Sequence, residues 1–548
     1  IEYENTSSKR IKTITANPGT SNAQTWTYNY GARSAAEWTV PAIGYDAPTI
    51  TNKSYYTLTS VVRPDGKSWG FNLAGLYAKP IPGTEYEYRT YQGGMRQFSG
   101  IISQCKQQQQ IISITHPNGV IGEFTLEERN YFIPKSVNGP TGSPCPKTIV
   151  GNTPNPFQDV MSVTKKRLTS QTTPESIWTY SYQGPSYGNE FNVTTIISPD
   201  SSKRVNYYYV PEVHTSLART ELYENQSSSQ ILEKKEFTYS TNGTGGSYYA
   251  YYYSTQEPYI SILPLETTIT RGSDWYKTKN TYNNDLSSPA YSFGNPTKVE
   301  QWSSLGGGTR TTDIYYDKDV DDWIVGLIDV VVKNGKQFDD YDYDTKGRLL
   351  THWRFGTRVA TLAYHTTGVQ AGQISSHLDG LNRSTSFSDY YRGIPRAISR
   401  ADNTTFTRDA DAYGRVTRET NWRNVSTIYQ YNASGYLTLI DRPSSWYDTQ
   451  ISYDNSGGYL LQTVVEDAQQ TTTLFDAMLR PTRISRYEIA QGKRIYRQME
   501  YDSMGRESFA SLPVASLNEA SNGVRKSYDA LGRKISSRET ALGGGTTY

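Results

Sequence analysis

Tyr501-Asp502-Ser503-Met504-Gly505-Arg506 and Tyr528-Asp529-Ala530-Leu531-Gly532-Arg533 are two copies of one pattern, and its chemistry is that of a hairpin turn. The Asp carboxylate accepts hydrogen bonds from backbone N–H groups that follow it, and the two variable residues suit a type I turn. Gly supplies the positive φ that closes a bulge before the return strand. Tyr and the residue after Arg then open the two strands.

Working outward, the pattern recurs at Tyr343-Asp344-Thr345-Lys346-Gly347-Arg348, Tyr431-Asn432-Ala433-Ser434-Gly435-Tyr436 and Tyr453-Asp454-Asn455-Ser456-Gly457-Gly458. Weaker copies fill the gaps: Tyr364 to Gly368, Asp411-Ala412-Tyr413-Gly414-Arg415, and Phe475-Asp476-Ala477-Met478-Leu479-Arg480, where Tyr and Gly are both replaced. Starts at 410, 431, 453, 475, 501 and 528 give a period of 21 to 27 residues. Each period is one β-hairpin, with strands of about eight residues and about 26 Å. Upstream the punctuation changes to Pro64-Asp65-Gly66, Pro117-Asn118-Gly119 and Pro199-Asp200-Ser201, where Pro fixes φ at the first turn position. The expected organisation is therefore an irregular β-rich section over 1–325 and a regular hairpin array over 326–548, with surface loops at Gly139 to Pro156 and Ser304 to Gly308.

Composition supports an array over several solid domains. Of 548 residues, 35% are hydrophobic when the 47 Tyr are counted and the 44 Gly are not. Exchanging those two leaves about the same share, against roughly 45–50% for an ordinary globular domain. The excess of Tyr over Phe, 47 against 14, suits half-wet strands on which each ring keeps its hydroxyl near water. Few segments place apolar residues at helical spacing, so the class is all-β. At about eleven residues per strand the chain holds roughly fifty strands, and open sheets rarely exceed about ten without curling. The strip must coil, and the low apolar content says that it coils around water or cargo.

Lys+Arg at 55 against Asp+Glu at 53 leave a net charge of +2, which gives no strong field to recruit nucleic acid or anionic lipid. No run of 18 apolar residues is present, so no membrane-spanning helix is expected. The start, Ile1-Glu2-Tyr3-Glu4-Asn5, has neither an initiator Met nor a secretory leader pattern, and the sequence reads as a fragment or processed product. Cys105 and Cys145 are candidates for one disulfide in an oxidising compartment, and otherwise remain two thiols.

Candidate chemistry is sparse. His352, His365 and Asp379 are the nearest approach to a metal-ligand set, but His116, His214, His352, His365 and His377 lack tight ligand spacing and read as isolated polar residues on wet strands. Asp319-Asp321-Asp322, Asp339-Asp340 and Asp342-Asp344 read as turn aspartates before calcium ligands or glycosidase carboxylates. Gly306-Gly307-Gly308 lacks the Lys and the helix of a phosphate loop. Tyr207-Tyr208-Tyr209 and Tyr248 to Tyr253 are expected to pack between hairpins, with glycan stacking as the competing use. The motif arginines, 348, 415, 506 and 533, are expected to pair across hairpins with the neighbouring motif Asp, with a grip on anionic cargo as the competing use. No enzyme activity, cofactor or metal is expected.

The Tyr-Asp-x-x-Gly-Arg repeat, with Phe293-Gly294-Asn295-Pro296-Thr297 and Trp323-Ile324-Val325-Gly326 ahead of it, resembles the bacterial Rhs/YD-repeat proteins, most strongly over residues 290 to 548. The repeats are also similar to those of the Tc toxin BC shell and of the teneurins. The resemblance implies a long strip of hairpins wound as a spiral, a curved single-layer shell around a cavity. It implies a secreted or cell-surface bacterial protein whose shell encapsulates a C-terminal toxin or effector, with a secretion apparatus or a further shell component as additional partner. The family's core-closing segment and self-cleavage aspartates do not appear before Tyr548, so no catalytic residue is carried over. The alternative is a Tyr-rich cell-surface adhesin that binds glycans.

Overall fold

The computed structural model describes residues 1–4, 9–16, 18–19, 23–39, 49–73, 88–92, 95–100, 110–130, 159–183, 191–209, 216–241, 262–283, 293–319, 321–444, 446–455 and 459–540. Cys105, Cys145, His214, Gly457, the Tyr248 to Tyr253 run and the Gly139 to Pro156 segment lie outside them. The architecture is all-β, as the sequence requires. Among the described residues 36 strands belong to one antiparallel sheet, while Tyr88–Gln92 and Met95–Gly100 pair as a separate hairpin. The only helical turns among those residues are two of 3-10 type, Gly368–Gln370 and Leu517–Glu519.

The chain divides into two compact units. The first comprises 1–205, 452–464 and 468–548, and the second 206–451 with 465–467. The change of repeat style near 325 falls inside the second. In both, strands follow one another as consecutive hairpins, so tips alternate between the two edges of the strip. Over 324–431 one edge carries the tips at 344–348, 365–373, 392–393 and 411–415, and the opposite edge those at 334–335, 355–356, 380–382, 401–403 and 421–425.

Register explains why Tyr opens each motif. In the hairpin of Lys493–Tyr501 and Glu507–Ser511, Met499 faces Ala510 and Glu500 faces Phe509, but Tyr501 faces Glu507, so Ser508 is the extra residue of a bulge. The same slip occurs at Tyr343, Tyr364, Tyr431, Phe475 and Tyr528. A bulge leaves its neighbouring backbone groups poorly paired. Where the extra residue is Thr its hydroxyl fills that need, as Thr438 Oγ1 donates to Gln430 O at 3.2 Å and Thr482 Oγ1 to Leu474 O at 3.1 Å.

The core is thin. Within the described residues, Leu126, Leu222, Met499, Phe509 and Val514 are among the few large apolar side chains that are buried, and Phe509 is 1% exposed. Along Lys493–Tyr501 one alternating set holds Arg494, Tyr496, Gln498 and Glu500, and the other Ile495, Arg497, Met499 and Tyr501; each set mixes polar residues with exposed positions. Ile495 is 47% exposed. A strand packed in a dry sandwich would show one consistently apolar set, whereas both faces of this strand meet water along part of its length.

One test of the turn chemistry follows. Gly505 sits at φ +85°, and a Cβ there would stand 3.2 Å from Arg480 Nη1. Gly505→Val is expected to lower stability by about 1–3 kcal/mol, whereas Ser503→Val, at a turn position of negative φ, should change it by a few tenths. Equal thermal shifts for the two variants would contradict the hairpin assignment.

Candidate functional site

The tip of each hairpin is built from the repeat motif alone. At 502–506, Asp502 N donates to Arg506 O and Gly505 N to Asp502 O, both at 2.9 Å. Asp502 Oδ1 accepts from Met504 N and Arg506 N at 2.9 Å, and Oδ2 accepts from Arg506 Nε at 2.7 Å. The same bonds, within 0.1 or 0.2 Å, close the tips at 344–348, 411–415, 476–480 and 529–533. The motif arginine therefore forms its ion pair with the carboxylate of its own turn, not with that of the neighbouring motif as the sequence suggested, although Arg506 Nη1 also donates to the backbone Asp529 O at 3.3 Å. The reason is geometric. The bulge places positions two and six of the motif side by side across the hairpin mouth, where a guanidinium meets a carboxylate without crossing to another strand.

The other face of each guanidinium reaches the next repeat. Arg348 lies 4.3 Å from the ring centroid of Tyr364, Arg415 4.7 Å from Tyr431, Arg480 4.4 Å from Tyr501 and Arg506 5.0 Å from Tyr528. Each of those tyrosines then donates its hydroxyl to the carbonyl just past the arginine: Tyr364 to Leu349 O, Tyr431 to Val416 O, Tyr501 to Pro481 O and Tyr528 to Glu507 O, at 2.8–2.9 Å. Position one of a repeat thus clasps position six of the repeat before it. The ladder continues upstream of the regular array, with Tyr182 on Val163 O, Tyr239 on Leu217 O, Tyr282 on Pro264 O, Tyr316 on Pro296 O and Tyr343 on Ile328 O. Burial holds the hydroxyls of Tyr501, Tyr364 and Tyr316 above the usual tyrosine range, so they remain donors.

Other motif residues occupy variants of this scheme. Asn432 replaces Asp in the Gly435 turn, and its Oδ1 accepts from Ser434 N and Tyr436 N at 3.0 Å. Tyr453 and Asp454 end the strand Thr449–Asp454, with Gln462 Nε2 at 3.4 Å from the Tyr453 hydroxyl. Asp379-Gly380-Leu381-Asn382-Arg383 is a further copy that the sequence reading passed over. Asn382, at φ 61°, takes the place of the motif Gly. The Asp to Arg spacing of four, with Asn in the left-handed position, was the available signal.

Within the first unit these tips meet others far away in sequence. Ser176 Oγ donates to Ser503 O at 2.5 Å, Ala477 N donates to Thr172 Oγ1 at 2.8 Å, and Arg506 Nη2 lies 3.2 Å from Asp200 Oδ2. The tips at 476–480 and 502–506 are thereby fastened to the hairpin ends at 170–176 and 198–202. Nothing in a local motif announces this contact, because Thr172, Ser176 and Asp200 are ordinary turn residues.

The histidines and acidic groups serve the sheet. His352 Nε2 is 2.8 Å from Asp339 Oδ1, which Arg354 Nε also reaches at 2.9 Å, and the His352 ring stacks on Tyr341 at 4.5 Å. Burial would raise the Asp339 carboxyl, but Arg354 and His352 outweigh it and hold it below the usual range. His365 meets Phe387 O at 2.9 Å, and Asp379 faces Arg383. Asp319 Oδ1 accepts from Asp321 N and Asp322 N. Among the described residues no three His, Cys, Asp or Glu side chains gather at a point that suits a metal ion.

The turn carboxylates carry a pH signature. The Arg348 side chain, with backbone N–H groups behind it, holds Asp344 below its ordinary value. At Asp411 and Asp529 burial pulls upward and is outweighed by Arg415 and Arg533 with their backbone donors. Folded values below unfolded ones mean that these groups stabilise the fold fully at pH above the unfolded carboxylate value, about 3.9, and lose that contribution as pH falls below it and through the lower folded values. Asp329 runs the opposite way, raised by burial and by Asp340, Asp317 and Asp342. Thermal unfolding is therefore expected to hold level from pH 6 to 8 and to fall below about pH 5; a melting temperature that rises between pH 5 and pH 3 would contradict the turn assignment.

The described residues thus define an all-β repeat architecture, a strip of antiparallel hairpins clasped from one repeat to the next. No family model and no curated protein sequence matches the chain. Among solved structures its fold is similar to that of TcdB2-TccC3-TEV, with a TM-score of 0.54 at 10% identity over 90% of this chain and 39% of that one. It is likewise similar to TcdB2-TccC3, with a TM-score of 0.52 at 10% identity over 84% of this chain and 37% of that one. The chain spans about two fifths of the length of these structures, and at such identity the likeness is one of fold. The Tc toxin shell fold expected from the hairpin motif is thus matched in three dimensions, at the level of fold.

Proposed function

We propose that this chain is a non-enzymatic wall segment of a secreted or surface-delivered bacterial shell that encloses a C-terminal toxin or effector. The observation that carries the reading is the clasped hairpin strip itself, whose fold is similar to TcdB2-TccC3 over most of this chain. Two further features support it. The strand Lys493–Tyr501 carries polar and exposed residues on both faces, as the lining of a compartment for an unfolded or polar guest would. The tips at 476–480 and 502–506 are fastened to hairpins some three hundred residues away through Ser503, Ala477 and Arg506, which is how a wound strip resists opening. The tyrosine hydroxyls spent on backbone carbonyls weigh against a glycan platform, since stacking surfaces need rings that are not already clasped.

Two measurements test it. Solution scattering is expected to give a radius of gyration above about 24 Å, the compact value for this length, with the pair-distance profile of a hollow wall. The protein expressed with its genomic continuation should protect that continuation from added protease. A compact scattering profile, or a continuation digested as fast as free chain, overturns the reading, and specific binding on a glycan array would replace it with the adhesin.

A further inference from the structure

Adjacent tips on one edge of the second unit combine exposed apolar residues with flanking cations. The tip Asn334-Gly335 is flanked by Lys333 and Lys336, Phe355-Gly356 by Arg354 and Arg358, and Leu381 is followed by Arg383. These tips are contiguous: Phe355 N donates to Phe338 O at 3.0 Å, and Arg358 Nη2 donates to Asn382 Oδ1. Tips on one edge stand two strands apart, about 10 Å. The Arg383 side chain is 70% exposed although it pairs with Asp379, and Arg354 is 49% exposed although it pairs with Asp339. Between these cations Phe355 and Leu381 stand 66% and 74% exposed, and Leu305, on the preceding tip of the same edge, 65%.

Phe355 is the telling residue. It occupies the first central position of a two-residue turn at φ 49°, the same angle that Asn334 adopts in the adjacent hairpin. Such turns favour Asn-Gly because both central residues need positive φ, which a bulky L-residue takes only with strain. The fold has Asn at one tip and an exposed aromatic at the next, so the ring is held there against the local preference. Among the described residues its ring partner is Phe338, at a centroid distance of 4.7 Å, and the Phe355 side chain nonetheless remains mostly in solvent.

Protruding apolar side chains at loop tips, each flanked by Lys or Arg, are the chemistry that enters the headgroup region of an anionic bilayer. We propose that this edge, with Phe355, Leu381 and Leu305 as the inserting residues and Lys336, Arg354 and Arg383 as the headgroup contacts, docks the protein on an anionic lipid surface. A purely electrostatic polyanion site would have no use for the strained ring, and an apolar protein interface would have no use for the row of cations. The inference is independent of whether a toxin is enclosed.

The test is co-sedimentation of the full chain with vesicles of phosphatidylcholine alone or containing phosphatidylserine, at low and physiological salt. Binding is expected only with phosphatidylserine, weakened by salt, and reduced about tenfold or more in Phe355→Asn/Leu381→Ser. Phe355→Asn alone should raise the melting temperature while lowering vesicle binding, a combination that a packing role for the ring does not produce. Absence of vesicle binding by the folded wild type overturns the proposal. So does a fall in the melting temperature of Phe355→Asn with unchanged binding. Binding lost only on charge reversal of Lys336 and Arg383, and equally strong for heparin, overturns it in favour of a polyanion.

Discussion

Arg480→Met is expected to damage the first unit more than any other single change at a motif arginine. Asp476 is 1% exposed, and its carboxylate is neutralised by Arg480, whose Nη2 stands 2.8 Å from Oδ2. The variant keeps the N–H bonds from Met478 and from residue 480 to Oδ1, but it leaves a buried negative charge without its cation. Breaking a buried pair from one side typically costs about 3–5 kcal/mol. Arg480 also covers Tyr501, and the same turn donates Ala477 N to Thr172, so the loss extends to two neighbouring hairpins. Arg383→Met is the control. Its pair with Asp379 has identical connectivity but is exposed, and such pairs contribute about 0–1 kcal/mol. Hydrogen exchange on the strands Gln469–Phe475 and Lys493–Tyr501 should accelerate strongly in the first variant and little in the second. Adding Asp476→Asn to Arg480→Met should recover part of the loss. Equal effects at 480 and 383 would mean that burial of the carboxylate does not set the energetics of these tips.

That contrast also marks what a sequence can disclose here. Turn type, strand class and hairpin period were legible because each depends on residues within six positions: the Asp that bonds its own backbone, the Gly or Asn at positive φ, the Tyr before the bulge. The ladder was half legible. Tyr and Arg recur together, but whether Arg pairs inside its turn or across to the next depends on where the bulge residue falls, and Ser508 or Thr482 carry no visible mark of that. The fastening of Ser503 to Ser176 and of Arg506 to Asp200 was not legible, since it depends on how far the strip winds before its tips meet again. The cationic edge was concealed for another reason. A net charge of +2 averages Lys333, Lys336, Arg354 and Arg383 against Asp317, Asp319, Asp321 and Asp322, and only antiparallel alternation sorts the first group to one edge and the second away from it.

Gly326→Val is expected to be the most damaging substitution in the second unit. Gly326 lies at φ +85°, and a Cβ built there would stand 2.6 Å from Asn295 Nδ2 and 3.4 Å from Asn295 Cγ. Left-handed backbone costs an ordinary residue about 1–2 kcal/mol, and a side chain forced into an occupied site adds about 1–3 kcal/mol. The sum is about 2–5 kcal/mol, provided the asparagine cannot swing aside. Its surroundings resist that: Phe293 and Trp323 meet edge to face at 6.1 Å beside it, and both sit at positive φ themselves. The Phe-Gly-Asn-Pro and Trp-Ile-Val-Gly segments, which are two separate signatures in sequence, are therefore one contact, with Gly326 making room for Asn295, while Gly294 makes room for Leu263. Gly306→Val separates the two contributions, because Gly306 has φ +83° and open space around its would-be Cβ. It should show the backbone cost alone. Asn295→Ala in the Gly326→Val background should return the steric part, leaving the double variant close to Gly306→Val in stability loss. If Gly326→Val and Gly306→Val melt together, Asn295 is free to move and the two segments do not brace one another.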